Sequence, residues 1–334
     1  MRRRALVFAA PRRVEIIDED CGSPPSGHLL VQTRVSAISA GTELLAFRDE
    51  LPANLPLDDT LPALAAATSR HPFRYGYAAV GKVIATGDGV APGWIGRQVF
   101  SFQPHASAFS VAAADAWAVP EGMDAERAVL LANMETAVNL ILDGAPRIGE
   151  RVAVFGQGVV GLLTTALLAR FPLHALIVVD AVAGRAALGR TLGATAAMEP
   201  AGNVREAIGG DGADLSYELT GNPDALNAAL SATGREGRVI VGSFYGRKRG
   251  AIDLGGHFHR GRLTIASSQV SHIGPALSGR WDRARRREAA WESLARTDTR
   301  PLVTHRFPIE RASEAFSLLD EGPSKVLQVL LTYE

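Results

Sequence analysis

Cysteine is nearly absent from this chain: Cys21 is the single one in 334 residues. One thiol excludes an internal disulfide and any cysteine-rich zinc cluster, and it suits a cytoplasmic protein. An excess of either charge is absent too, since 35 Lys and Arg balance 35 Asp and Glu. That balance predicts no nucleic-acid partner, because nothing supplies the basic face that phosphates require. Long apolar runs are missing as well. No stretch approaches the ~18 consecutive apolar residues of a membrane helix, so no membrane partner is expected. The opening MRRRALVFAAPRR has the basic start of an export signal, but its apolar run from Ala5 to Ala10 is short and Pro11-Arg12-Arg13 follows at once. It predicts a first β-strand instead.

What is present is a globular composition, 47% hydrophobic, in a chain long enough for two domains that each bury a core. As far as about Val119, short apolar runs such as HLLVQTRVSAIS, AAVGKVIATG and RQVFSF are broken by Gly and Pro, which predicts an irregular β-domain or barrel. The stretch FRDELPANLPLDDTLPALAAATSRHPFRYG predicts a long excursion with a helical turn or two. From Asp124 to Ala145 apolar residues recur at helical spacing. Strands and helices then alternate through RVAVFG, ALIVVD, ATAAME, ADLSYEL, GRVIVGSF and RLTIASS, six apolar strands that predict a parallel sheet wound on both faces. The closing segment holds a charged helix, RWDRARRREAAWESLAR, and two more strands, LVTHRF and VLQVLLTY, for which that sheet has no place. They are expected to return to the first domain. The expected fold class is α/β: a β-rich domain over 1–122 and 272–334, interrupted by a Rossmann dinucleotide-binding domain over 123–271.

The strand VAVF runs into Gly156-Gln157-Gly158-Val159-Val160-Gly161 and directly into LLTTALLARF. Gly156 suits the tight turn, Gly158 the approach of a pyrophosphate, and Gly161 the packing of helix on strand. The N–H groups that open the helix, with Val159 and Val160, face the phosphates. The next strand ends in Asp180, 24 residues after Gly156, where an acid accepts hydrogen bonds from the adenosine ribose. A carboxylate there repels a 2′-phosphate, so NAD(H) is expected over NADP(H). Arg185 is placed to reach the same ribose or to stack near the adenine.

With these pieces in order, the chain resembles the medium-chain dehydrogenase/reductase superfamily over nearly its full length, through SAISAGTE, YGYAAVGKVIATG, METAVNLILDGAPRIGERVAVFGQGVVG, YELTGNPDALNAAL and THRFPIERASEAFSLL. SAGTE, FSFQPHASAF, HFHRGRLTIASSQV and VTHRFP are most similar to the branch that contains the bacteriochlorophyllide hydroxyethyl dehydrogenase of photosynthetic bacteria. The resemblance implies a GroES-like catalytic domain, a Rossmann domain with Thr136 among its cofactor contacts, a small-molecule substrate and a homodimer paired through the edge strand RLTIASS. It also implies where a catalytic zinc would be held. At the three ligand positions this chain has Ala40, Tyr77 and Ala132, and alanine ligates nothing, so no zinc is expected.

A zinc-free relative must stabilise the substrate oxygen by hydrogen-bond donors. Thr42 occupies the superfamily's proton-relay position and is the first choice. Tyr77, in the place of a metal-binding histidine, would donate its phenol, act as an acid if its pKa were lowered, or only fill the vacated space. His105 is a third catalytic candidate because imidazole titrates near neutrality, with the tethering of a loop as its alternative. Glu43 and Glu135 are expected to support the site from behind. His257, His259 and His272 have no acid or thiol at a ligand spacing and are read as structural or substrate contacts. The five arginines between Arg280 and Arg287, with Trp281, predict a solvated helix face. The expected function is zinc-independent, NAD(H)-dependent hydride transfer at a secondary alcohol or ketone. Reduction of an activated alkene or quinone, and a non-catalytic dinucleotide-binding protein, are the alternatives.

Overall fold

Alternating burial organises the N-terminal third of the computed structural model, which describes residues 1–52, 55–58, 60–65 and 67–334. Strands β1 (Arg2–Ala10) and β2 (Arg13–Asp20) form an antiparallel hairpin with Ala5 opposite Ile17. The next strands are β3 (His28–Ile38), β4 (Ala79–Thr86), β5 (Gln98–Ser101), β6 (Ala108–Ala112) and β7 (Trp117–Ala118). Between β3 and β4, helix α1 (Ala40–Phe47) presents Leu44, Leu45 and Phe47 to the core. There Phe8 stacks on Phe73, with centroids 5.2 Å apart, and meets the edge of Phe316 at 5.4 Å. Each such ring withdraws enough apolar surface to stabilise the fold by about 2–3 kcal/mol. This packing anchors α1, and so sets the positions of Thr42 and Glu43 on its first turn.

The central segment forms a six-stranded parallel sheet: β8 (Arg151–Phe155), β9 (Ala175–Val179), β10 (Ala196–Met198), β11 (Ala213–Glu218), β12 (Thr233–Val241) and β13 (Thr264–Ser267). The strand order is β10-β9-β8-β11-β12-β13, so the chain reverses its direction of winding beside β8, and the carboxyl end of that strand is where such sheets take ligands. The last strands, β14 (Val303–Pro308) and β15 (Gln328–Thr332), join the first sheet, β15 lying antiparallel to β3 with Leu330 opposite Ala37. The C-terminal strands thus extend the first sheet.

The two compact units are Met1–Ala132 with Leu294–Glu334, and Asn133–Ser293. Both boundaries fall later than the sequence suggested. The first shifts because a short helix α2 (Ala125–Ala128), capped by Asp124 accepting from the Arg127 N–H, packs on β3 and β4. The second shifts because the helix Arg283–Ala295 is tied to the second unit. Its Arg286 is buried and donates to Asn139 Oδ1 at 2.9 Å and to the Val270 carbonyl. The arginine run is thus not simply a solvated face: the helix turns the guanidinium of Arg286 inward. Among the described residues no helix is long and apolar enough to cross a membrane.

Candidate functional site

Three hydroxyl groups meet at the start of α1. The chain leaves β3 at Ile38, turns at Ser39 and enters the helix at Ala40, with the Thr42 N–H donating to the Ser39 carbonyl at 3.0 Å. Tyr77, just before β4, donates its phenol to Ser39 Oγ at 2.5 Å, and the Thr42 hydroxyl is within hydrogen-bond reach of the same phenol. Burial pushes the Tyr77 phenol up to about 12, against the opposing hydrogen bonds from Ser39 and Thr42. The condition for Tyr77 to act as an acid, a lowered pKa, is not met: removal from water disfavours the phenolate, so Tyr77 stays protonated and acts as a donor. Thr42 and Tyr77 are half-buried, as a pair that meets a ligand must be.

Behind them lies a wholly buried chain of polar groups. Glu43 accepts from the Ser39 N–H at 2.7 Å through Oε1, and its Oε2 is 2.8 Å from His105 Nε2. The other ring nitrogen, Nδ1, is 2.7 Å from Ser36 Oγ, which in turn is 2.6 Å from the Tyr333 hydroxyl. Glu43, His105 and Ser36 are each 0% exposed. The ring also presses on Gly76, where a Cβ would come within 2.7 Å of it. His105 therefore connects α1, β3, the C-terminal strand and the backbone just before Tyr77. Both of its nitrogens are engaged, and Glu43 lies between it and the Ser39 N–H.

Ser36, Ser39 and Tyr333 were missed by sequence reasoning. Ser39 adjoins the Ala40 position and was legible as a hydroxyl beside an absent ligand; Tyr333 is nearly three hundred residues from Ser36 and had no local signal. Glu135, by contrast, belongs to the second unit, where it lies 3.6 Å from Arg286 and 3.8 Å from Arg287. Burial raises its pKa and the two guanidiniums oppose that shift. Thr136 follows it, half-buried on helix α3 (Leu131–Gly144).

In the glycine loop the three glycines have different surroundings. Gly156 has φ +93°, and a Cβ there would lie 2.7 Å from the Leu219 backbone. At Gly161 a Cβ would sit 1.9 Å from the Gly156 carbonyl oxygen, so only glycine lets helix α4 (Val159–Leu168) start this close to the turn. Gly158, the residue that caps α4, is different: no atom lies within 4 Å of its Cβ position. Open space over a helix N-terminus, beside backbone N–H groups of Val159 and Val160, fits a pyrophosphate. Asp180 follows β9 and is 9% exposed; Oδ2 accepts from the Gln157 N–H at 2.6 Å and Oδ1 from the Val182 N–H at 2.7 Å. Arg185 lies on the next helix, α5 (Ala183–Thr191). At the end of β11 a further buried acid, Glu218, holds Thr220 N–H at 2.8 Å and the Tyr245 hydroxyl at 2.5 Å. It braces the segment against which Gly156 packs.

Residues 159–286 match the family described as zinc-binding dehydrogenase. D-guloside 3-dehydrogenase of Escherichia coli (strain K12) is 25% identical over 312 residues, which cover 87% of this chain and 88% of the relative. Among solved structures, one described as a short chain alcohol dehydrogenase of E. coli CFT073, complexed with NADH, has a TM-score of 0.80 at 19% identity and covers 99% of both chains. A protein of Sinorhizobium meliloti 1021 bound to NADP has a TM-score of 0.79 at 18% identity, again over 99% of both chains. The fold, the glycine loop and these relatives define an NAD(P)-dependent oxidoreductase. Its likeness is to the medium-chain dehydrogenase/reductase superfamily, the group that includes the zinc-binding dehydrogenases.

The zinc of that family does not fit the residues present. Ala40 and Ala132 offer no donor atom, and Tyr77 is a protonated phenol already bonded to Ser39. Among the described residues no group of three His, Cys, Asp or Glu side chains is arranged to hold a metal.

Proposed function

We propose that this protein is a cytoplasmic, zinc-independent, NAD(H)-dependent dehydrogenase or ketone reductase acting on a secondary alcohol of an organic substrate. One observation carries the reading: Ser39, Thr42 and Tyr77 form a hydroxyl cluster where a metal-dependent relative would place its ligands. A bound nicotinamide supplies the site that accepts or returns the hydride. The chain supplies the rest. Thr42 Oγ1 takes the proton of the substrate hydroxyl as the carbinol is oxidised, and the Tyr77 phenol and Ser39 Oγ provide the hydrogen-bonded path along which it moves away. In reduction the same hydroxyls donate to the carbonyl oxygen as negative charge develops on it. The name of the guloside relative supports oxidation of a ring secondary hydroxyl, and the likeness to the bacteriochlorophyllide branch supports a large substrate. Asp180 supports NAD(H). The position of β13 at a sheet edge supports a homodimer extended through that strand, for which light scattering at micromolar concentration should give twice the chain mass.

Thr42→Val and Tyr77→Phe, assayed for hydride transfer and separately for NADH binding, test the mechanism. Thr42→Val should lower turnover on the order of 10²-fold, as loss of one preorganised donor does, while leaving NADH affinity nearly unchanged. A comparable loss in Tyr77→Phe would assign the phenol a chemical role; an unchanged rate would reduce it to filling space. If neither substitution slows hydride transfer, or if tag-free protein carries stoichiometric zinc, the hydroxyl mechanism is wrong.

A further inference from the structure

The first unit contains a cavity of about 590 Å³ beside the β1–β2 hairpin, and its polar lining is of one sign. Arg3, Arg70 and Arg74 line it, Gln103 adds an amide, and among the described residues no carboxylate does. Two of the guanidiniums are held from behind. Glu19 bridges them, accepting from Arg3 Nε at 2.7 Å through one oxygen and from Arg74 through the other. Arg3 also donates to the Ala108 carbonyl at 3.1 Å, so its side chain is fixed before any ligand arrives. Three guanidiniums less the one bridging carboxylate leave a charge of +2 (3 − 1) around the cavity. Ser110, whose buried hydroxyl has no hydrogen-bond partner among the described residues, is also in the wall.

The wall also contains Thr68 and the buried His105, and Phe73 and Phe109 contribute to its apolar part. Guanidinium groups with unused N–H donors take oxyanions in paired hydrogen bonds, and an apolar wall takes carbon. The volume lies in the range of about 300–1,000 Å³ common to small-ligand sites. We propose that this cavity is a binding site for a small organic dianion, a dicarboxylate or a phosphate monoester, distinct from the hydroxyl cluster. The oxyanion sits among the arginines and its carbon skeleton rests on the phenylalanines. The assignment does not depend on the oxidoreductase reading.

Cys21, the only cysteine, lines the same cavity and is half-buried, so its alkylation rate reports occupancy in the native protein. N-ethylmaleimide would be reacted with the protein in saturating NADH, which keeps added anions from the glycine loop, and succinate or glycerol 3-phosphate would be titrated in. Sodium chloride at matched ionic strength and glycerol are the controls. Saturable slowing by at least about fivefold, as occupancy well above Kd demands, is expected from one or both anions and from neither control. Succinate alone would identify a dicarboxylate site, and glycerol 3-phosphate alone a phosphate site. Arg70→Gln, at an exposed position outside the Glu19 bridge, should weaken protection about tenfold or more and leave the unprotected rate unchanged. No slowing beyond the salt control would overturn the proposal, as would full protection in both Arg70→Gln and the Arg70→Gln/Arg74→Gln double variant.

Discussion

Both oxygens of the Asp180 carboxylate already accept backbone N–H groups, from Gln157 and Val182, yet each oxygen retains a second lone pair for a ribose hydroxyl. The same group thus orders the glycine loop and, on the proposed NAD(H) reading, meets the ribose at which NAD and NADP differ. Its replacement should do two things at once. Asp180→Ser is expected to narrow the preference for NADH over NADPH by about tenfold or more, the worth of charged hydrogen bonds, and to weaken binding of both cofactors because the loop loses its brace. Titrating both reduced cofactors into both proteins reads this directly; tighter NADPH than NADH binding by the native protein would reverse the assignment. His105 makes a related point at the other site. An imidazole in a sequence invites a catalytic role, but one that is 0% exposed between a carboxylate and a hydroxyl acts through the groups it holds.

The turn from β8 into α4 separates two uses of glycine within one element. Gly161 serves the fold, since a methyl group would meet the Gly156 carbonyl at 1.9 Å, whereas Gly158 faces open space. Gly161→Ala should therefore lower the stability of the cofactor-free protein by about 1–3 kcal/mol, as overpacking does, with cofactor binding lost alongside. Gly158→Ala should leave the melting temperature of the free protein nearly unchanged and impair only cofactor binding. Thermal melts of both variants with and without NADH distinguish the two. Equal destabilisation of the free protein by both substitutions would mean that the loop is not shaped as described.

All five tyrosines of the molecule have raised pKa values, chiefly through burial: Tyr75, Tyr77, Tyr217, Tyr245 and Tyr333. An acid whose folded pKa exceeds its unfolded value of about 10 stabilises the fold fully below that pH and progressively less as pH rises through the folded value. The protein should accordingly hold its tyrosines protonated to about pH 10 and then unfold as they ionise together. Absorbance at 295 nm and far-ultraviolet circular dichroism, recorded over the same alkaline titration, should change in step. Tyrosinate appearing with an ordinary midpoint near 10 while the dichroism stays native would contradict the burial that causes the shifts.

Local order in the sequence was enough for what depends on neighbours along the chain. Strand, glycines, helix, strand and acid from VAVF to Asp180 required the fold around β8, because turn geometry and helix N-termini are properties of a few consecutive residues. The six parallel strands were legible for the same reason. Groups distant in sequence were decided by tertiary structure alone. Ser36, Glu43, His105 and Tyr333 come from four separate segments of the chain, and only their packing makes a buried polar chain of them. Burial, which no spacing reports, turned Tyr77 from a possible acid into a fixed donor and drew Arg286 out of an arginine run that reads as solvated. The strength of a charge or a proton's hold depends on how much water the fold leaves beside it, and that is settled only when distant segments close around the group.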